Sequence, residues 1–358
     1  TKVKGKEHSD AMKYSVQLMS RLAVNKVGVT SETQTLLLQQ ALTSTGSDDN
    51  LKSSAIGCIG SISTNGADGV ASVANMGGLE AISAVVTSDV DGSTTTSKVA
   101  REALSQITES ATSNADTVTS NALCKIVEAN AVLHDVSRNQ GETNNSDLEQ
   151  CVEKLSTSTN GQSALLSVLS STSNDSAKVA VIDSIGSRVG EGVAVEVAGE
   201  NRDQVKTILS GVRAHMSQEV SSGLKRKNKA AAADILGCLK LGDEGSGIFA
   251  EEGGLDILSD MIATEADEDA RAATQKAAVK AMMNIVASDK AAAASTGLKD
   301  SRVNNRLKDL KIASVIAAAL ATSKDEDDGF ADDCISLLQE LTSDMDPDEI
   351  GLDDSAIR

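Results

Sequence analysis

The chain has 358 residues, a net charge of −19 from 33 basic and 52 acidic side chains, and an aromatic content of only 1%. It has no Trp and one Pro, so its apolar residues are nearly all Ala, Val, Ile, Leu and Met, which suit helix-on-helix packing better than sheets. No stretch reaches the roughly 20 apolar residues that a membrane helix needs, and the negative charge opposes general binding to nucleic-acid phosphates. Composition therefore predicts an acidic, all-α protein.

A short apolar pattern recurs along the chain, in which one or two adjacent apolar residues are followed, after two others, by a further apolar residue. In chain order its copies are Leu18-Met19/Leu22, Ile56/Ile59, Ala103-Leu104/Ile107, Cys151-Val152/Leu155, Val181-Ile182/Ile185, Leu236/Leu239, Ala281-Met282/Ile285 and Leu337-Leu338/Leu341. This spacing puts the apolar side chains on one stripe of a helix. Each copy therefore predicts the long buried helix of one structural repeat.

Two pairs of segments repeat more closely. Residues 73–82 (VANMGGLEAI) match residues 249–258 (FAEEGGLDIL), and 176 residues separate their first positions. Residues 55–59 (AIGCI) match residues 235–239 (ILGCL) at a separation of 180 residues. Both separations equal four periods of about 44–45 residues, in the range of stacked two- or three-helix repeats. In the longer segments a Gly-Gly pair follows a predicted short helix, where it permits a sharp turn into the next helix.

These Gly-Gly junctions and the stretch Ala277–Val286 (AAVKAMMNIV) resemble the armadillo repeat family. The stretch is similar to the family's A-x-x-A-L-x-N-L signature, with Asn284 at the asparagine position. The resemblance implies a right-handed α-solenoid of about seven or eight armadillo-like helical repeats over residues 1–343, followed by an acidic C-terminal tail at 344–358. HEAT-like repeats are the close alternative, and the Gly-Gly break after a short first helix favours armadillo.

The same resemblance implies that the third helices of the repeats line a concave groove, which holds an extended peptide or a partner helix. Basic residues precede the apolar stripe in several of these predicted helices. The candidate partner-binding residues are Lys98, Arg101, Lys178, Lys229, Lys276 and Lys280, together with Asn284. A basic row of this kind can steer and align an acidic partner segment. Alternatively, the same side chains are ordinary solvated residues whose stems cover apolar surface.

One departure from the family matters for the partner. Nuclear import adaptors of the family bind basic signals through Trp-x-x-x-Asn arrays, whereas here Lys280 stands four residues before Asn284 and Trp is absent. Other charged clusters give less specific signals: Lys225-Arg226-Lys227 and the predicted insert Ser288–Asp309 carry cations that can contact an acidic partner. The acidic run 325–329 lacks the ligand spacing of a calcium-binding EF-hand loop and suits a helix start instead.

The sequence contains no recognisable catalytic or metal-binding constellation. Its five cysteines and three histidines have no metal-ligand spacing, and no Ser-His-Asp or Cys-His arrangement can be argued from them. We therefore expect no enzymatic activity, no cofactor and no metal site.

The leading functional hypothesis is a protein–protein interaction scaffold or adaptor, a structural component of a larger cytoskeletal or ciliary-type assembly in the cytoplasm. The alternative is a chaperone-associated regulator, an exchange factor or client adaptor of heat-shock proteins. The expected partners are other proteins, with no nucleic acid, no membrane span and no small-molecule substrate.

Overall fold

The computed structural model describes residue 14 and residues 49–88, 94–139, 147–193, 195–199, 201–217, 230–241, 244–263, 268–296, 302–322 and 328–343. The chain divides into two compact units, residues 1–168 and residues 169–358. The predictions on Lys229, on the 225–227 cluster and on the 344–358 tail lie outside the described residues.

The described part of the chain is helical almost throughout. The first unit contains α1 (Asp49–Ser63), α2 (Ala67–Asn75), α3 (Gly78–Ser88), α4 (Thr95–Ser113), α5 (Ser120–Asn139) and α6 (Asp147–Leu155). The division between the units falls within α7 (Thr159–Ser171). The second unit contains α8 (Asp175–Gly190), β1 (Val197–Ala198), α9 (Arg202–Ser217), α10 (Ala231–Gly237), β2 (Leu239–Lys240), α11 (Gly245–Glu251), α12 (Gly254–Ala263), α13 (Glu268–Thr296), α14 (Arg302–Asp309), α15 (Ile312–Thr322) and α16 (Asp328–Thr342). The all-α prediction is confirmed.

The expected three-helix repeat is present in both units. In the first unit the short α2 leads into α3 through Gly77, whose φ of 81° lies in the left-handed region that side chains disfavour. In the second unit Gly253, also with φ 81°, joins α11 to α12 in the same way. A Cβ added to the following Gly254 would lie 2.4 Å from the ring of Phe249, so this close approach requires glycine. The two Gly-Gly pairs therefore perform the turn that the sequence predicts.

A third junction of this kind has no glycine. Lys311 connects α14 to α15 with φ 46°, and it is the one non-glycine residue with positive φ among the described residues. The helices around it repeat the order seen before, since a short first helix leads into a second helix and then into α16 as the third. The predicted insert Ser288–Asp309 is therefore wrong, because residues 288–296 continue α13 and residues 302–309 form the first helix of this repeat.

Successive third helices approach one another at their backbones. A Cβ added to Gly60 of α1 would lie 3.0 Å from the Cα of Ala103 in α4. In the second unit a Cβ on Gly186 of α8 would lie 2.3 Å from the carbonyl oxygen of Ala231 in α10, and one on Gly237 of α10 would lie 3.3 Å from the Cα of Ala281 in α13. Glycine facing alanine lets these helices pack without intervening side chains.

Two regions depart from the regular triplet. The helices α5 and α9 are each continuous where a short first helix and a second helix are expected. A two-residue parallel pairing, β1 with β2, also links the loops that follow α8 and α10, through the Val197 amide to the Cys238 carbonyl at 2.9 Å. None of the described helices is long and apolar enough to cross a membrane alone, and the α2–α3 pair meets that length and composition only across a 62° bend.

Candidate partner-binding surface

In the second unit the third helices α10, α13 and α16 place an acid, a base and an acid next to one another. Lys280 of α13 is exposed, and its Nζ lies 3.8 Å from Oδ2 of Asp333 in α16. On the other side, burial raises the pKa of the Asp234 carboxyl in α10 to about 6, and the charge of Lys280 offsets part of that shift. Lys280 is therefore a solvent-facing cation between two carboxyls, held by one long contact that a competing anion can replace.

Asn284 lies one helical turn after Lys280, and its amide is used within the protein. Its Nδ2 donates a hydrogen bond to the carbonyl oxygen of Gly237, the last residue of α10, at 3.0 Å. A carbonyl at a helix C-terminus has no partner within its own helix, so this bond satisfies it. Asn284 thus connects two successive third helices while the residue itself remains exposed.

Lys178 does not join an exposed basic row. Its side chain is buried, with 3% of the residue exposed. Its Nζ lies 2.6 Å from Oγ of Ser210 and 3.6 Å from Oδ1 of Asp175. A Cβ added to Gly211 would lie 2.9 Å from Cδ of Lys178, so the lysine stem runs against bare glycine backbone of α9. The expectation that Lys178 contacts a partner is corrected by this burial, because a buried ammonium is not accessible from solvent.

The remaining candidates differ in accessibility. Lys98 of α4 is exposed, whereas Arg101 is half-buried and donates through Nη1 to Oγ of Ser137 at 3.0 Å. Lys276 of α13 is half-buried, one turn before Lys280. The described residues therefore bring together Lys276, Lys280 and Asn284 on one helix, and leave Lys98 as an exposed cation of the first unit.

A charged network on the first helices of the second unit is not evident from the sequence. Glu251 at the end of α11 receives Arg202 of α9 from one side and Arg302 of α14 from the other, the latter at 2.8 Å. These hydrogen bonds hold the pKa of Glu251 below its usual range, and the bond from Arg302 makes the largest contribution. Arg306 forms a bidentate salt bridge with Asp256 of α12, in which Nε and Nη2 donate to the two carboxylate oxygens. Arg302 and Arg306, predicted as partner contacts in an insert, thus connect neighbouring repeats.

Beside this network lies a cleft of about 850 Å³. Arg213 and Met216 of α9, Ile257 of α12 and Arg306 of α14 line it, together with acidic residues from 251 to 260. Arg213 donates to the carbonyl oxygen of Glu252 at 2.5 Å, across the Gly253 junction. Most of its charged groups form contacts between neighbouring repeats.

A buried histidine–aspartate pair also escapes sequence analysis. Nε2 of His215 in α9 lies 2.7 Å from Oδ1 of Asp183 in α8, and the histidine has no solvent exposure. The sequence signal was weak, because the two residues lie 32 positions apart in different helices. The pair joins α8 to α9.

Three of the described cysteines, Cys124, Cys151 and Cys334, are poorly suited to nucleophilic chemistry. Burial raises the pKa of the Cys151 and Cys334 thiols to about 12 and that of Cys124 to about 11, so these thiols stay protonated near neutral pH. Within the described residues no group of three His, Cys, Asp or Glu side chains is arranged to hold a metal ion.

No protein-family model and no curated protein sequence matches the chain. Two solved structures are similar to it at 16% sequence identity and a TM-score of 0.32 each. One is an engineered protein from a structural genomics consortium, with 87% of this chain and 97% of that chain covered. The other is a designed armadillo repeat protein, with 86% of this chain and 99% of that chain covered. The helix triplets and left-handed junctions described above give this chain an armadillo-like repeat fold.

Proposed function

We propose that this protein is a non-enzymatic interaction scaffold that binds a segment of a partner protein along its third helices. The observation that carries the proposal is Lys280, an exposed cation on a third helix whose one described carboxylate contact, to Asp333, is as long as 3.8 Å. The Lys280 side chain is 57% exposed and that of Asp333 is 25% exposed, and the 3.8 Å separation is too long for a hydrogen bond. Lys280 can therefore turn to a partner carboxylate without giving up a hydrogen bond to Asp333.

The partner segment is expected to carry at least one carboxylate opposite Lys280 and Lys276. Next to Asp234 and Asn284 we expect a group of the partner that carries no negative charge. The protein as a whole carries a net charge of −19, so a uniformly acidic partner would be repelled outside this patch. A segment of mixed charge fits better, because it pairs with the lysines and avoids the carboxyls. We place such a segment in a larger assembly of cytoskeletal or ciliary type in the cytoplasm.

Affinity capture from native extract tests this proposal with the Lys276→Glu/Lys280→Glu variant. Lys240→Glu is the control, because Lys240 is also exposed and also forms a long contact, 3.5 Å to Glu196, but lies on β2 and not on a third helix. Circular dichroism establishes that both variants fold. We expect a specific partner that is retained by wild type and by Lys240→Glu, weakened by salt, and lost from the double variant.

The identity of that partner then separates the two functional readings. Stable recovery of a large assembly supports the scaffold. Recovery of a heat-shock chaperone whose binding depends on nucleotide supports the chaperone-associated regulator instead. A partner that the double variant retains at full strength contradicts binding through Lys280.

A further inference from the structure

The cleft of about 850 Å³ in the second unit is lined by α9, α11, α12 and α14, and not by the third helices that carry the proposed function. Its volume falls within the range of about 300–1,000 Å³ that is typical of ligand-binding clefts. Part of its lining is apolar, because Met216 and Ile257 are half-buried there and Ala250 is buried. A ligand in the cleft can therefore cover apolar surface that the fold leaves partly exposed.

The carboxylates that line the cleft already have partners within the protein. The ion pairs join Arg202 to Glu251 and Glu252, Lys206 to Glu252, Arg302 to Glu251, and Arg306 to Asp256. Asp260 also forms an interaction within the protein. The acidic groups of the cleft therefore contribute to the stacking of repeats without any ligand.

Arg213 differs from the other charged groups of the cleft. It is exposed, and its Nη2 donates to the main-chain carbonyl oxygen of Glu252 at 2.5 Å. None of the ion pairs found among the described residues includes Arg213. A guanidinium has five N–H donors, and this hydrogen bond uses one of them on a neutral acceptor. Arg213 therefore offers the cleft a positive charge and further donors that no carboxylate of the described residues has taken.

The first unit shows that the junction between repeats does not require this arginine. There Lys125 of α5, in the following repeat, contacts Glu80 at 3.2 Å. In the aligned segments Glu80 corresponds to Asp256, which is likewise paired with a residue of the following repeat, Arg306. The following repeat supplies the partner of this carboxylate in both units. Arg213, which comes from the preceding helix, is additional to that pair.

The Gly253 junction holds the guanidinium of Arg213 in place. A Cβ added to Gly253 would lie 3.1 Å from Nη2 of Arg213, so the guanidinium lies against main chain that carries no side chain. The hydrogen bond to the Glu252 carbonyl then fixes its position. A donor that is fixed before a ligand arrives loses less conformational freedom on binding. Arg213 is therefore preorganised at the edge of the apolar lining.

The rest of the lining limits the chemistry of the ligand. Four carboxylates and two guanidiniums line the cleft, so a ligand with several negative charges is repelled. A single carboxylate can form charge-assisted hydrogen bonds with Arg213, and an apolar group beside it fits Met216 and Ile257. Basic groups on either side are favoured by the surrounding acids. A protein segment presents these groups in order along one chain, whereas a small carboxylate cannot reach the surrounding acids with basic groups.

We propose that this cleft is a second partner-binding site, in which Arg213 binds one Asp or Glu side chain of a partner segment and Met216 and Ile257 contact an adjacent large apolar side chain. The rest of the bound segment is neutral or basic. The site lies on a different set of helices from Lys280, and it does not depend on the proposed binding along the third helices.

Selection from a random peptide library against the full chain tests the proposal. Peptides enriched by wild type are measured again with Arg213→Gln and with the matched control Lys206→Gln. Lys206 is exposed seven residues earlier on the same side of α9, but it does not line the cleft. Circular dichroism establishes that both variants fold. We expect peptides with one acidic residue beside a large apolar one, which Arg213→Gln binds about tenfold or more weakly, as loss of a hydrogen bond to a charged group predicts. Lys206→Gln should bind them as wild type does.

Titration calorimetry with the tightest of these peptides gives further measurements. Arg213→Lys keeps the charge without the planar set of donors, so we expect an affinity between those of wild type and Arg213→Gln. The Lys276→Glu/Lys280→Glu variant should bind the peptide unchanged, which separates this site from the third-helix surface. Octanoate is the probe for a small-molecule carboxylate.

Three outcomes overturn the proposal. The first is that no enriched peptide distinguishes wild type from Arg213→Gln. The second is that the peptides that depend on Arg213 are uniformly acidic and lack a large apolar residue. The third is that octanoate binds through Arg213 more tightly than any selected peptide, because the cleft is then a small-molecule site.

Discussion

His215 and Asp183 form the most buried charged-group contact described in the second unit, with 2.7 Å between Nε2 and Oδ1 and with 0% and 8% of the two residues exposed. The pair joins α9 to α8 through a fully buried imidazole and a carboxyl whose side chain is only 11% exposed. Breaking the pair is therefore expected to lower the free energy of unfolding, because a buried polar group that loses its partner retains its full desolvation cost.

Replacing His215 by Ala is expected to lower the free energy of unfolding by about 3 kcal/mol, because it leaves the Asp183 carboxyl buried and unpaired. Urea unfolding followed by circular dichroism measures the loss. The Asp183→Ala/His215→Ala double variant should lose clearly less than the two single variants added together, since the second substitution removes a group that is already orphaned. Strictly additive losses would show that the two side chains do not stabilise one another.

The Asp234 carboxyl predicts a pH dependence of unusual sign for an aspartate. Its folded-state pKa of about 6 lies above the ordinary value of 3.8, so the folded state binds the proton more tightly. The corresponding stabilisation is fully present below about pH 4 and is lost as pH rises through about 6. Asp234→Asn should therefore raise the free energy of unfolding at pH 7 by about 1 kcal/mol, after allowance for the partial exposure of the group. Near pH 4 the variant and wild type should differ little, and a variant less stable than wild type at pH 7 contradicts the burial argument.

Lys311→Gly is expected to stabilise the protein by up to about 1 kcal/mol, because a side chain in the left-handed region costs roughly 1–2 kcal/mol and glycine avoids that cost while adding freedom to the unfolded chain. Thermal unfolding gives the change in Tm. Gly253→Ala is the converse substitution at the equivalent junction, where φ is 81° and a Cβ would lie 3.1 Å from Nη2 of Arg213. It should lower the Tm, and the two changes must have opposite signs.

The close approach of α8 and α10 makes Gly186 intolerant of any side chain. A Cβ there would lie 2.3 Å from the Ala231 carbonyl oxygen, so Gly186→Ala should cost roughly 1–3 kcal/mol through displacement of backbone. Gly57→Ala is the matched control on α1, because its Cβ would meet only Val99 Cγ1, at an ordinary 3.8 Å. Alanine is the better helix former by about 0.5–1 kcal/mol, so that variant should be neutral or stabilised. Equal losses at both glycines would exclude backbone contact as the cause.

The features that sequence analysis predicted well are those fixed by local geometry. The Gly-Gly pairs at 77–78 and 253–254 signal a turn because glycine alone enters the left-handed region at no cost, and the AIGCI stripe signals the buried third helix α1. The ILGCL stripe is helical only as far as Gly237, because α10 ends there and Leu239 lies in β2. Lys311 forms the same kind of turn, but no glycine in the surrounding sequence indicates it. The triplet that contains it was therefore read as an insert, although its helices follow the usual order.

The candidate site was predicted less well, because exposure depends on the neighbouring helix. Lys178 and Lys280 precede similar apolar stripes, yet Lys178 is buried and Lys280 is exposed. The two lysines stand at different positions before the stripe, because Lys178 aligns with the buried Ala278 of α13. Gly211 of α9, which has no side chain, leaves room for the stem of Lys178 at that buried position. Lys178 and its hydrogen-bond partner Ser210 are 32 residues apart in the sequence. Neither segment alone indicates that the two side chains meet.

The glycine–alanine contacts between third helices fix the spacing of the side chains that a partner can contact. In the second unit the separation of α8 from α10, and of α10 from α13, is set where main chain meets main chain rather than by the volume of intervening side chains. Substitutions elsewhere in the core can loosen these helices but cannot shift their interval by small steps. A partner that contacts consecutive repeats in this unit therefore meets side chains whose spacing is set by the backbone. Substitutions at exposed positions can change which groups the partner meets without changing the distance between the helices.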